Sequence, residues 1–214
     1  MNLNRKKIIS IFLLILLSGS VFGLAANVLM QPKNPNGEMS NIVVMETNMG
    51  AIEIELNREK APITVENFVN YVESGFYEGL CFHRIIEGFM VQGGGYYPNG
   101  TYKMTGEPIE IESDNGLKNL RGTIAMARSS DPNSATSQFF INTQDNTDLD
   151  YPSFDGYGYT VFGKVTSGMD IVDAIEEIET EVHEVNYPMY NQSAVAEDWP
   201  IEPVEIIEAY MKEG

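Results

Sequence analysis

The sequence predicts a mainly β protein built as a closed antiparallel barrel, with two α-helices covering the barrel ends. Three observations favour this fold class. The chain contains many short apolar runs bounded by Gly- and Pro-rich turns, it has two stretches of helical apolar spacing, and it shows no internal repeat. Its 214 residues, 43% of them hydrophobic, are enough for one domain with an ample core.

The first 30 residues predict export from the cytoplasm. The basic run Asn4–Lys7 precedes a strongly apolar stretch, Ile8–Leu17, and small residues follow it, as in a signal peptide. The apolar stretch also continues to Met30, which makes it long enough to span a bilayer uncleaved. Residues 1–30 are therefore either a cleaved signal peptide or a transmembrane anchor. In both cases the preceding positive charge puts the rest of the chain outside the cytoplasm.

A linker at residues 31–41, rich in Pro, Asn and Gly, is expected to lead into the folded domain. Apolar runs at 41–47 and 51–56 then predict two strands paired as a hairpin around Asn48-Met49-Gly50. An amphipathic helix follows and ends near Gly75, because its apolar residues recur at helical spacing. These residues are Val65, Phe68, Val69 and Val72, and they are expected to plug one end of the barrel.

The rest of the chain predicts shorter elements. Residues 81–95 read as two strands joined by a Glu87-Gly88 turn. Further strands are expected at 123–127, 138–142, 160–165 and 203–207, and a second helix at 169–178. Two segments, 95–107 and the acidic stretch 181–199, are predicted to be irregular.

Composition and residue counts exclude several classes of protein. Acidic residues outnumber basic ones by 31 to 13, for a formal net charge of −18, so we expect no nucleic-acid partner. The single cysteine, Cys81, excludes an intramolecular disulfide, and its place in a predicted strand favours a buried, inert thiol. The two histidines, His83 and His183, lack ligand spacing, so neither a zinc site nor a catalytic triad is predicted.

Arg84 is chemically conspicuous because it lies among large apolar residues. On a regular strand Phe82, Arg84 and Ile86 share one face, so the guanidinium is expected beside two apolar side chains. An arginine in such a setting needs a polar partner, and Gln92 on the next strand is the nearest candidate in sequence. Taken alone, this run fits an ordinary barrel strand with a surface arginine.

Three blocks in a fixed order resemble the cyclophilins, the peptidyl-prolyl cis-trans isomerases built on a closed β-barrel. The blocks are Phe82–Ile86 with Gly88–Gly94, then Ser137–Asn142, then Tyr159–Val165. Ordered blocks of this kind are far more specific than one short motif. The resemblance implies an eight-stranded cyclophilin-like barrel over residues 42–210. It also implies an enzyme that isomerises Xaa-Pro bonds in unfolded or exported polypeptides.

The resemblance further implies which residues form the site. The catalytic group would be Arg84, Gln92 and Phe89, with Arg84 bonding the prolyl nitrogen and Gln92 orienting the guanidinium. The proline pocket would be walled by Phe89, Met90, Phe140 and Leu149, with Gln138 at its polar rim and Tyr159 at the position that caps it. The backbone of Ala127, Arg128 and Ser129 would pair with the substrate as an added strand.

Two positions depart from the common family pattern. Asp148 stands before the pocket Leu149 where many members carry a Trp, and Tyr159 stands where many carry a capping His. The first change puts binding of cyclosporin, the family's cyclic-peptide inhibitor, in doubt, because a carboxylate offers neither a donor nor an apolar face. Arg128 is expected to reach Asp148 and to soften the cost of burying its charge.

Two functions remain open on the residues alone. One is an active isomerase acting on exported polypeptides as they fold, and the other is a chaperone module of the same fold with little turnover. The intact set Arg84, Phe89, Gln92 and Phe140 favours catalysis. A surface adhesion domain is a third class of function, and no motif in the sequence supports it. We expect a monomer that meets the membrane only through residues 1–30 and needs no cofactor or metal.

Overall fold

The computed structural model describes residues 40–213, of which Asn41–Lys212 form one compact unit. The interpretation of residues 1–30 and of most of the linker lies outside the described residues and stays a prediction. Among residues 40–213, no helix is both long and apolar enough to cross a membrane.

Ten strands and two α-helices follow one another in the described part of the chain. They are β1 (Ile42–Thr47), β2 (Gly50–Leu56), α1 (Pro62–Glu73), β3 (Cys81–Ile86), β4 (Met90–Tyr96), β5 (Thr123–Met126), β6 (Phe139–Asn142), β7 (Val161–Ser167), α2 (Met169–Glu176), β8 (Thr180–Tyr187), β9 (Gln192–Pro200) and β10 (Val204–Met211). Eight strands close an antiparallel barrel in the order β1-β10-β3-β4-β6-β5-β7-β2, and β8 and β9 form a separate two-stranded sheet. The predicted eight-stranded barrel with two helices is confirmed.

The core lies inside the barrel, where alternate residues of each strand point. Along β2, Ile52, Ile54 and Leu56 are buried, and the glutamates between them are more exposed. Helix α1 covers this core through Phe68, whose ring lies 5.6 Å from that of Phe139 and 5.1 Å from that of Phe162. The apolar face predicted for this helix is confirmed as core.

The segment 181–199, predicted to be irregular, is in fact a β-hairpin made of β8 and β9. Most of its side chains are exposed, so it lacks the one-sided alternation by which a strand is recognised in a sequence. A few buried residues attach it instead: Val185 and Trp199, each 2% exposed, pack on Cys81 of β3. The hairpin therefore lies against the barrel strand that carries Arg84.

Candidate active site

A cavity of about 150 Å³ opens on the outside of the barrel. Its lining consists of Arg84, Phe89, Met90, Gln92, Ala127, Arg128, Phe140, Leu149 and Tyr159. The remaining predicted site residue, Gln138, joins this lining through Gln92, whose amide donates to the side-chain oxygen of Gln138 at 2.9 Å. The structure therefore brings the predicted residues together, while the role of each stays a prediction.

A β-bulge at His83 sets the direction of the Arg84 side chain. The pairing of β3 with β4 shifts between Phe82 and Arg84, so His83 is an extra residue in the strand. As a result Phe82 packs in the barrel core, whereas Arg84 lines the cavity and Ile86 packs beside it. The prediction that Phe82 shares a face with Arg84 is wrong, because the bulge interrupts the alternation of the strand.

The floor of the cavity is apolar and closely packed. Met90 and Phe140, on the neighbouring strands β4 and β6, are only 2% and 4% exposed. The ring of Tyr159 meets that of Phe140 edge-on, with centroids 5.8 Å apart. Leu149 closes a further side from a short 3-10 turn, and its carbonyl accepts the Tyr159 N–H at 2.9 Å. Such a floor suits a small apolar ring.

Arg84 lies at the polar edge of this cavity, with 42% of its side chain exposed. Its Nε is 3.3 Å from Oδ2 of Asp198 on β9. Gln92 is its partner in the β3–β4 pairing, but the Gln92 amide donates to Gln138. Orientation of Arg84 by Gln92 thus stays a prediction. Sequence reasoning missed Asp198, because no motif or periodicity links its distant segment to the arginine.

Arg128 forms a buried part of the cavity wall, with 3% of its side chain exposed. Its guanidinium donates to the Asp155 carboxylate and, at 2.8 Å, to the Gly158 carbonyl. Its Cζ also lies 4.5 Å from the centroid of the Tyr159 ring, which it holds in place. The expected contact of Arg128 with Asp148 is wrong, because Asp155 takes the guanidinium and Asp148 is left exposed.

Asp155 is held as a carboxylate by several donors. The Ser153 hydroxyl donates to its Oδ1 at 2.7 Å, the Arg128 guanidinium donates to its Oδ2, and the Tyr157 N–H donates to Oδ1 at 2.9 Å. These bonds hold the pKa of Asp155 well below its ordinary 3.8. Asp155 therefore stays charged and fixes the wall formed by Arg128 and Tyr159.

Replacing Asp155 by Asn is expected to lower the free energy of unfolding by about 2 kcal/mol at neutral pH, since the buried Arg128 loses its charged partner. The folded-state pKa is lowered, so the advantage of the wild type is complete above the ordinary value of 3.8. That advantage disappears as the pH falls further, through the folded-state pKa. Urea unfolding over a pH series measures both effects. Asp148→Asn, at an exposed position, is the control, and equal losses in the two variants would contradict the assignment.

The backbone expected to pair with substrate is partly occupied within the chain. The Ala127 N–H donates to the Gln138 carbonyl at 3.0 Å, and the Ser129 N–H donates to Oγ of Ser134 at 2.8 Å. A substrate strand on this segment would therefore use the Arg128 N–H and backbone carbonyls.

Two potentially reactive side chains of β3, Cys81 and His83, are buried and do not line the cavity. Burial raises the pKa of the Cys81 thiol to about 12 and lowers the pKa of His83 to about 4. At neutral pH both groups are uncharged, so this strand presents neither a thiolate nor an imidazolium. The predicted burial of the Cys81 thiol is confirmed.

Comparisons with known proteins agree with this geometry. The family model described as "Cyclophilin type peptidyl-prolyl cis-trans isomerase/CLD" matches residues 42–211. The chain is 55% identical over 142 residues to peptidyl-prolyl cis-trans isomerase A of Dickeya dadantii, covering 66% of this chain and 74% of that protein. It is 49% identical over 173 residues to the peptidyl-prolyl cis-trans isomerase of Acinetobacter baylyi, covering 81% of this chain and 86% of that protein.

A solved structure shows the same fold. The cyclophilin type peptidyl-prolyl cis-trans isomerase of Cryptosporidium parvum, crystallised in the presence of the dipeptide Ala-Pro, superimposes with a TM-score of 0.64 at 26% identity. The superposition covers 81% of this chain and 99% of that one. The match to the family model, the similar relatives and the shared fold all agree. The chain therefore belongs to the cyclophilin-type peptidyl-prolyl cis-trans isomerases, enzymes that interconvert the cis and trans forms of Xaa-Pro peptide bonds.

Proposed function

We propose that this isomerase acts on proline-containing polypeptides as they fold after export, and that Arg84 provides the catalysis. The observation that carries the proposal is the position of the Arg84 guanidinium at the edge of a cavity of about 150 Å³ whose floor is apolar. The apolar floor would hold the prolyl ring, and Arg84 would then face the prolyl nitrogen.

The reaction needs stabilisation of a twisted amide and nothing more. Resonance in the Xaa-Pro bond gives a rotation barrier of about 18–20 kcal/mol. When the amide twists, its nitrogen recovers a lone pair that the planar amide lacks. A guanidinium N–H can bond that lone pair in the transition state only, so the bond lowers the barrier. No covalent bond is formed or broken, and the site requires neither a nucleophile nor a general base.

Arginine suits this role better than lysine would. Its guanidinium stays charged at any physiological pH, and its planar fork of donors can be fixed by neighbours while one donor remains directed at substrate. The apolar floor formed by Met90 and Phe140 would exclude water from one side of a bound prolyl ring, and a hydrogen bond is stronger where water is excluded.

The substrate is proposed to be an extended Xaa-Pro segment. The relative from Cryptosporidium parvum was crystallised with an Ala-Pro dipeptide present, which supports an Xaa-Pro unit as the minimal ligand here. The residue before proline would run along Ala127 and Arg128, where the Arg128 N–H would donate to its carbonyl.

The proposal of export rests on the sequence. The basic run Asn4–Lys7 followed by the apolar stretch from Ile8 to Met30 has the pattern of a signal peptide or anchor. Clients would then be polypeptides that emerge unfolded outside the cytoplasm, where prolyl bonds populate both isomers and isomerise slowly.

Export is tested by fractionating host cells and detecting the chain in cytoplasmic, membrane and extracytoplasmic fractions. Leu14→Arg should retain the protein in the cytoplasm, because a charge in the apolar stretch opposes insertion by about 2.5–3.5 kcal/mol. Leu14→Ala is the matched control and should be exported. Carbonate-resistant membrane association would indicate an anchor, and a shortened soluble product outside would indicate cleavage. A full-length wild-type chain that is soluble in the cytoplasm would refute export.

A further inference from the structure

The β8–β9 hairpin brings a carboxylate to the arginine of the cavity. Oδ2 of Asp198 lies 3.3 Å from Nε of Arg84, and the two side chains are 36% and 42% exposed. This separation is longer than the roughly 2.7–2.9 Å of a good charge-assisted hydrogen bond. The contact is therefore an ion pair that restrains the guanidinium without locking it.

A β-bulge and an unusual backbone conformation at Asp198 set the direction of its side chain. Glu181 pairs with Trp199 and His183 pairs with Ala196, so one residue of β8 faces two residues of β9. Such a two-against-one arrangement is a β-bulge, which redirects a side chain and is frequent beside active sites. Within this bulge Asp198 has a φ of +58°, a left-handed conformation that Asp and Asn adopt more readily than most residues.

The bulge is fixed in space by the residue next to it. Trp199 is 2% exposed and packs with Cys81 and Val185, between the hairpin and β3. The hydroxyls of Tyr96 on β4 and Tyr187 on β8 add a hydrogen bond of 2.7 Å between barrel and hairpin. Asp198 is consequently held relative to β3 by a buried neighbour, and its carboxylate meets Arg84 from the hairpin side.

We propose that Asp198 is a positioning residue for catalysis, which acts through Arg84 and holds its Nε edge so that the terminal nitrogens face the prolyl nitrogen. This inference rests on the catalytic role proposed for Arg84. A guanidinium restrained at one edge loses less conformational freedom when it bonds the twisted amide. The restraint matters in the transition state, so it should raise kcat and leave substrate binding unchanged.

The test compares Asp198→Asn with Glu197→Gln in a protease-coupled assay on an Ala-Pro peptide. Asn keeps the shape of the side chain and tolerates the left-handed backbone, so the variant removes the charge alone. Glu197 is an exposed carboxylate on the same strand and serves as the matched control. We expect Asp198→Asn to lower kcat about two- to fivefold, the scale of a partly exposed ion pair, with KM unchanged. Glu197→Gln should be unchanged in both constants.

Two further readouts distinguish positioning from a structural role. The ¹⁵N–¹H resonance of the Arg84 Nε should shift in Asp198→Asn and stay in place in Glu197→Gln. In an Arg84→Ala background, Asp198→Asn should have no further effect on residual turnover, whereas a structural role predicts the same fractional loss in both backgrounds.

The outcomes separate this inference from the proposed function. Wild-type turnover in Arg84→Ala would remove the catalytic role itself. A large loss in Arg84→Ala with full kcat in Asp198→Asn would overturn the positioning role alone. A rise in kcat for Asp198→Asn would also overturn it, because the carboxylate would then be damping the guanidinium charge.

Discussion

Replacing Arg84 by alanine is expected to lower kcat/KM for an Ala-Pro peptide about a hundredfold or more, the scale on which losing one transition-state donor lowers turnover. The loss should appear mainly in kcat, because the bond to the prolyl nitrogen forms only when the amide twists. Arg84→Lys should recover little, since a single ammonium lacks the fixed planar fork. A protease-coupled isomerisation assay measures all of these constants.

The structure offers a matched control for this experiment. Arg121 is 44% exposed and its Nη2 lies 2.8 Å from Asp173, so it resembles Arg84 in exposure and in having an aspartate partner. It does not line the cavity, and Arg121→Ala should keep turnover near that of the wild type. Near-wild-type kcat/KM in Arg84→Ala would contradict the mechanism, and an equal loss in Arg121→Ala would point to a general effect of charge.

Cyclosporin is expected to inhibit this isomerase weakly, and Asp148→Trp should tighten inhibition about tenfold or more. Asp148 is exposed beside Leu149, which lines the cavity. A large apolar macrocycle over this rim would desolvate the carboxylate, which can accept hydrogen bonds but cannot donate one. Arg128 does not offset this cost, because its guanidinium is bound to Asp155. An indole would supply both the missing donor and an apolar face.

Titration of isomerase activity with cyclosporin tests this expectation. Asp148→Asn is the control, because it removes the charge and adds an amide donor without adding the apolar face of an indole. It should bind more tightly than the wild type and less tightly than Asp148→Trp. Nanomolar inhibition of the wild type, or no gain in the Trp variant, would show that the rim at Asp148 contributes less than its chemistry indicates.

Much of this protein could be predicted without coordinates. Apolar residues at strand and helix spacing predicted the hairpin of β1 and β2 and the core face of α1, because burial on one side imposes its period on the residues. The blocks around Arg84, Phe140 and Tyr159 predicted the barrel and contain six of the residues that line the cavity: Arg84, Phe89, Met90, Gln92, Phe140 and Tyr159. Those positions are recognisable because the residues of each block are adjacent in the sequence. A local pattern therefore shows both the residue types and their spacing along the strand.

The tertiary structure alone decided where the charged groups point. The bulge at His83 puts Phe82 in the core and Arg84 outside, which regular alternation could not predict. Asp155, not Asp148, binds the Arg128 guanidinium, because the loop that contains Asp155 folds this carboxylate onto the arginine side chain.

The β8–β9 hairpin is the clearest feature that only the tertiary structure decided. Its strands are exposed over most of their length, so no hydrophobic period marks them, and the buried residues that pack on β3, Val185 and Trp199, are few. The contact of Asp198 with Arg84 then depends on a bulge in one strand and on packing between segments far apart in the chain. Contacts of this kind follow from register and side-chain direction in three dimensions, which a local sequence pattern does not contain.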